Sequence, residues 1–138
     1  MTTSVLVDSN IFLDLFEGGP TRKWSRDALA RAGSAAMLTV NPIIWSEISA
    51  RFATEADLVD ALTGLPFQRE PIPFEAAFAA GKAHLAYRKA GGARERTLPD
   101  FLIGAHASTS GHTLLTRDAS RYRTYFPSLE IIAPDTHP

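Results

Sequence analysis

Val5-Leu6-Val7-Asp8-Ser9-Asn10 is the stretch on which the fold turns. Three β-prone apolar residues run straight into an acid and two hydrogen-bonding residues. An unbroken apolar run, with no polar alternation, is the pattern of a strand covered on both faces in a parallel sheet. Such a strand ends in a charge where the charge sits at a sheet rim. Asp8 also has the chemistry of a helix N-cap, so the stretch alone leaves a capping role and a rim site both open.

Outward from it, strands and helices alternate. Helical spacing of Ile11, Phe12 and Leu15 predicts a helix to Phe16, stopped by Gly18-Gly19-Pro20. Arg22 to Ala32 predicts a second helix, with Gly33 as its C′ residue. Ala35 to Val40 reads as a second buried strand. Asn41-Pro42 is a cap followed by proline at the first helical position, so a helix carrying Ile43, Ile44, Glu47 and Ile48 starts there. Thr54 to Leu62 is a further helix. Phe67 to Ile72 is an edge strand, given Pro71 and Pro73. Phe74 to Ala90 is a long helix with Phe74, Phe78, Gly81 and Leu85 along one face, closed by Gly91 and Gly92. Leu98-Pro99-Asp100 opens the next helix, with Phe101, Leu102 and Ala105 facing inward and Gly111 at its end. His112 to Thr116 is a strand, Arg121 to Tyr125 a short helix and Leu129 to Ala133 a last strand. Residues 134–138 are expected to fray. The alternation predicts one α/β domain over residues 1–138 with a central, mainly parallel sheet.

The totals bound the function. Lys+Arg 14 against Asp+Glu 15 leaves a net charge of −1, so nucleic-acid binding must rest on a local patch. With Cys 0, disulfide scaffolds and thiolate metal sites are excluded. No signal peptide or membrane span is expected, and the reading is of a cytoplasmic protein.

Four acids fall where such a sheet would gather them. Ligands in open parallel sheets sit beyond the carboxyl ends of the strands, where strand order reverses. Asp8 follows the first strand, and Asp118 stands two residues past Thr116. Glu47 lies in the helix after the second strand, and Asp100 in the first turn of another, where free N–H groups favour a carboxylate. Each also has a structural reading. Glu47 can pair with Arg51 four residues on, Asp100 can complement a helix dipole, and Asp118 can stabilise a turn. Taken together, four carboxylates in one cleft raise each other's pKa and either protonate or hold a cation. All-oxygen ligands suit Mg²⁺ or Mn²⁺, and the chemistry this serves is phosphodiester hydrolysis.

These residues, with Asn10, Leu98-Pro99-Asp100 and Leu114-Leu115-Thr116-Arg117-Asp118 followed by Arg121-Tyr122 and Phe126-Pro127, resemble the PIN-domain ribonucleases, and more narrowly the VapC toxins of toxin–antitoxin pairs. The resemblance covers nearly the whole chain. It implies a three-layer α/β/α fold and an acidic quartet of Asp8, Glu47, Asp100 and Asp118 around Mg²⁺ or Mn²⁺. Asp8 and Asp100 would be direct ligands, Asp118 a ligand directly or through water, and Glu47 a ligand or water activator. Asn10 would orient Asp8 or the phosphate, and Thr116 matches the small hydroxyl residue before the last acid. It further implies an RNA substrate, a homodimer, and a VapB-like antitoxin whose C-terminal segment lies along a groove.

Arg117, Arg121 and Arg123 are candidates for substrate phosphate contacts, with Arg94 and Arg96 behind them. His84, His106 and His112 have no role in this scheme, and His106 and His112 read as structural. Trp24, Trp45 and the helical phenylalanines read as core rather than a base-stacking platform. Haloacid-dehalogenase-like phosphatases also place an acid after the first strand, but need a second where Asn10 stands. Receiver domains need a lysine beyond a later strand, and none follows His112. A non-catalytic domain that binds RNA or protein is the remaining alternative.

Overall fold

The computed structural model describes residues 3–93 and 95–138. Strands β1 (Ser4–Val7), β2 (Met37–Val40), β3 (Phe67–Arg69), β4 (Thr113–Leu115) and β5 (Ile131–Ile132) form one sheet in the order β3-β2-β1-β4-β5. Every pairing is parallel. Helices α1 (Ser9–Glu17), α2 (Arg22–Ala35), α3 (Pro42–Ser49), α4 (Glu55–Ala61), α5 (Phe74–Lys89), α6 (Leu98–Ser110) and α7 (Ser120–Arg123) flank it. The fold is a three-layer α/β/α arrangement, as the sequence leads one to expect. Val5, Leu6 and Val7 are buried, as an unbroken apolar run in a central parallel strand requires. Register aligns Val7 with Leu115, so β1 and β4 end together. Strand order reverses between them, and the carboxyl rim at that point is the natural ligand position.

Several local expectations give way to packing. α2 runs through Gly33 to Ala35 instead of stopping at Ala32. A Cβ at Gly33 would lie 3.1 Å from Leu38, so the glycine serves a close helix–strand approach, not a cap. In α5 the buried positions are Ala76, Ala80 and Tyr87, with Ala79 and Ala83 packed beside them. The expected inward face is the solvent face: Phe74 is 92% and Phe78 69% exposed. The two stripes share one helical period half a turn apart. The alanine stripe faces α6, where small side chains let the helices approach closely. Trp24 and Trp45 are only half-buried, each giving its indole N–H to a neighbour, the His137 carbonyl and Glu55 respectively. β3 stops at Arg69 and is the edge strand its prolines imply. Two contacts involve the terminal residues: Asp135 pairs with Arg123, and Thr136 Oγ1 donates to the Ala133 carbonyl.

α6 is the element that ties core to rim. Its Gly104 lies under two rings, and an added Cβ would meet Phe126 at 2.5 Å and Tyr122 at 3.0 Å. Gly104→Ala is therefore expected to destabilise by about 1–3 kcal/mol through overpacking. Urea unfolding measures this, and an unchanged midpoint would show that the rings yield freely.

Candidate active site

Asp8 is both a cap and a rim acid. It ends β1, adopts extended backbone and caps α1, its Oδ1 accepting the Ser9 N–H at 2.7 Å. Its Oδ2 accepts from Thr116 Oγ1 at 2.9 Å and from the Tyr122 hydroxyl at 2.7 Å. The Ser9 hydroxyl approaches the same Oδ1 at a longer 3.4 Å, the one contact on this carboxylate that a cation would have to displace. Asp8 is 3% exposed. Burial pushes its carboxyl pKa up; the Tyr122, Thr116 and Ser9 donors oppose this, and the Asp100 charge adds to the rise. Burial and the Asp8 charge hold the Tyr122 phenol well above its ordinary value, so it stays protonated and donates.

Thr116 joins the two strand ends. Its hydroxyl donates to Asp8 and accepts from Asn10 Nδ2 at 3.2 Å and from the Asp118 N–H at 3.1 Å. That uses its full inventory of one donor and two lone pairs. Asn10 Oδ1 accepts the Arg117 N–H at 3.1 Å. Asn10 and Thr116 thus fix where the β4–α7 loop leaves the sheet.

Asp100 arrives on the first turn of α6, its Oδ2 accepting the Thr97 N–H at 3.1 Å. That is half of a capping box, and it leaves Oδ1 facing the cluster. Arg121 lies between two acids, with Nε 3.0 Å from Asp118 Oδ2 and an Nη 3.4 Å from Asp100 Oδ1. Burial raises the Asp118 carboxyl, but the Ser120 and Arg121 hydrogen bonds and the Arg121 charge outweigh it and hold the pKa below its ordinary value. Glu47 is open to solvent on much of its surface. Its carboxyl pKa is nonetheless raised, first by partial desolvation, then by Asp8 and Asp100, against the Ser9 hydroxyl and Arg121. Arg51, its alternative partner, pairs instead with Glu17. Asp8, Glu47 and Asp100 therefore feel one another's charge, and Asp118 joins them through Arg121 and Thr116.

The basic candidates divide. Among the described candidates, Arg121 alone is placed among the acids. Arg117 is held 2.5 Å from the buried Asp14 and 3.2 Å from Thr21 Oγ1, and Arg123 is committed to Asp135. Both are tied into the scaffold, because buried or terminal acids claim their guanidinium groups. Arg96 lies over the Tyr87 ring, and Arg94 falls outside the described residues. Tyr122 is the participant that sequence reasoning passed over. Its place directly after Arg121 on a one-turn helix was the available signal.

The PIN domain family model matches residues 5–127, and the chain belongs to that family. The solved VapBC2 complex of Rickettsia felis on a promoter DNA fragment has a similar fold, with a TM-score of 0.73 at 15% identity over 95% of this chain and 98% of that one. A toxin–antitoxin complex from Klebsiella pneumoniae gives 0.68 at 23% identity, covering 94% and 97%. VapC20 of Mycobacterium tuberculosis, a sarcin-ricin-loop-cleaving toxin, gives 0.54 at 15% identity, covering 79% and 85%. No curated protein matches the chain by sequence.

The donor set suits a hard divalent ion: it is all oxygen, and a guanidinium already lies between two of its acids. The raised pKa values of Asp8 and Glu47 carry a sign. Between the ordinary and the raised value the native state holds more protons than the unfolded state, so this contribution to stability falls as pH rises. An ion that binds the ionised acids reverses the trend. Mg²⁺ at roughly 100 times its Kd should add about 2.7 kcal/mol, with a larger Tm rise near neutral pH than near pH ~5. Buried His106, whose pKa burial lowers, acts oppositely as pH falls below its ordinary value. Reading the difference with and without Mg²⁺ removes that term. An equal Mg²⁺ effect at both pH values would refute the assignment.

Proposed function

We propose that this chain is an Mg²⁺- or Mn²⁺-dependent endoribonuclease and the toxin half of a VapBC-like pair. The observation that carries the reading is that Arg121 pairs with Asp100 and Asp118 while Asp8 and Glu47 feel the charge of Asp100, at the point where the order of a parallel sheet reverses. The PIN-domain membership and the likeness to toxins solved with antitoxins support it.

Asp8, Asp100 and Asp118 would hold the ion, and Glu47, at the solvent side, would take a proton from the attacking water. When bound, the ion supplies water activation and charge neutralisation at the scissile phosphate. Tyr122 and Thr116 keep Asp8 in one rotamer. Arg121 is the side chain placed to contact a phosphate oxygen, once its two acids turn to another cation. RNA strands that are single or looped are the substrates whose phosphates can enter an open rim. A protein partner is supported by the exposed Phe74, Phe78 and Leu85 on α5. An antitoxin helix or a second copy of the chain would cover such a face.

The test is incubation of the purified chain with a structured RNA and Mg²⁺, with and without EDTA, followed by sequencing of the new ends. Discrete cuts that EDTA abolishes are expected. RNA bound but left whole at every Mg²⁺ and Mn²⁺ concentration would favour a non-catalytic domain.

A further inference from the structure

Away from the acid quartet, two histidines and a glutamate converge. Glu70 directly follows β3, His106 lies within α6 and His112 precedes β4. His112 Nε2 is 2.6 Å from Glu70 Oε2, and His106 Nε2 is 3.7 Å from Glu70 Oε1. One ligand atom from each residue lies within 4.8 Å of the others. His106 is 0% exposed and its Nε2 has no hydrogen-bond partner, an unfavourable state for a buried polar atom. Both rings are also held from behind. Ser4 Oγ bonds His112 Nδ1, and Asn41 Nδ2 lies 3.0 Å from His106 Nδ1. An outer partner that accepts from Nδ1, with Nε2 turned inward, is the pattern of metal-ligating histidines, and the Ser4 hydroxyl can supply it at His112.

We infer that Glu70, His106 and His112 form a second cation site, distinct in chemistry from the quartet. Two imidazoles and one carboxylate select Zn²⁺ or a similar borderline ion over Mg²⁺. The Glu70 side chain is 27% exposed, so the remaining coordination position opens on its side. A bound ion would tie edge strand β3 to α6, the helix that carries Asp100.

One residue sets the affinity. Asn41 Oδ1 caps α3 by accepting the Ile44 N–H at 2.9 Å, so the side-chain N–H₂ must face His106 and donate to Nδ1. His106 then carries its own proton on Nε2, where the ion must bind. Loading requires the proton to move to Nδ1 and the Asn41 amide to turn, at the expense of the cap. Ser4 imposes no such conflict, because a hydroxyl can donate or accept. Asn41→Asp removes it: one carboxylate oxygen caps Ile44 while the other accepts the Nδ1–H of His106.

The experiment titrates Co²⁺ and Zn²⁺ into the full chain carrying Asp8→Asn and Asp100→Asn, which silences the quartet. The site predicts one bound Co²⁺ with the visible absorption of low coordination number, and a Tm that rises with Zn²⁺. Glu70→Gln should weaken binding at least tenfold. Asn41→Asp should tighten it roughly 10- to 100-fold, a gain that misfolding cannot produce. Absence of Co²⁺ and Zn²⁺ binding, binding indifferent to Glu70→Gln, or no gain in Asn41→Asp would each overturn the inference. None of these outcomes bears on the quartet, whose Mg²⁺-dependent cleavage is read separately on the chain with both aspartates intact.

Discussion

Asp100→Asn should reduce RNA cleavage by on the order of 10²–10³-fold while the protein remains folded. Geometry makes this the cleanest probe of the quartet. Asp100 Oδ2 accepts the Thr97 N–H, a bond the amide oxygen of asparagine can keep. The new N–H₂ then replaces Oδ1, which faces Arg121 at 3.4 Å across a partly open rim. The cost falls on cation binding, not on the helix cap. Asp8→Asn should lose as much activity but also some stability. Its Oδ1 accepts Ser9 N–H, and its Oδ2 accepts both Thr116 and Tyr122. At Oδ1 the new N–H₂ would meet the Ser9 N–H, and at Oδ2 it would leave the Thr116 hydroxyl, whose lone pairs Asn10 and Asp118 already use, without an acceptor; a buried donor left unsatisfied costs about 1–3 kcal/mol. Initial rates at saturating Mg²⁺, with circular dichroism as the folding control, separate the two effects. Variants that both cleave at the native rate would remove these residues from the chemistry.

How far the chain could be read in advance depended on the range of the interaction. Val5-Leu6-Val7, Asn41-Pro42 and Gly111 act locally. An apolar run, a cap with proline behind it and a left-handed cap glycine each dictate the adjoining backbone, and strand, helix start and helix end follow. The acids suggested themselves as a set because each stands near such a local signal. What was hidden depends on partners far along the chain. In α5 two apolar stripes share one period, and only the approach of α6 selects the alanines over the phenylalanines. Arg117 and Arg123 look alike beside Asp118, but Asp14 and Asp135 claim them from other elements. Gly33 reads as a stop until Leu38 is seen to need its space. Glu70, His106 and His112 carry no signal of spacing, since a strand exit, a helix and a strand entry bring them together.

The same distinction between packing and polar function lies within one side chain, and Tyr122 lets it be measured. The ring is wholly buried against Gly104, and the hydroxyl donates to Asp8 at 2.7 Å. Tyr122→Ala removes both and should destabilise by about 3–5 kcal/mol, the range for an aromatic lost from a core. Tyr122→Phe keeps the ring and takes away a bond to a charged group, worth about 1.5–3 kcal/mol. The two differ in their dependence on pH. The Tyr122 donor lowers the Asp8 pKa against the rise caused by burial, so its loss must raise that pKa further. A protonated Asp8 needs the donor less. The destabilisation by Tyr122→Phe should therefore shrink as pH falls through the Asp8 titration, while that of Tyr122→Ala keeps its packing part throughout. Urea unfolding of both variants at neutral and acid pH tests this directly. A Tyr122→Phe penalty of the same size at both pH values would mean that the hydroxyl serves the ring's packing and not the Asp8 charge.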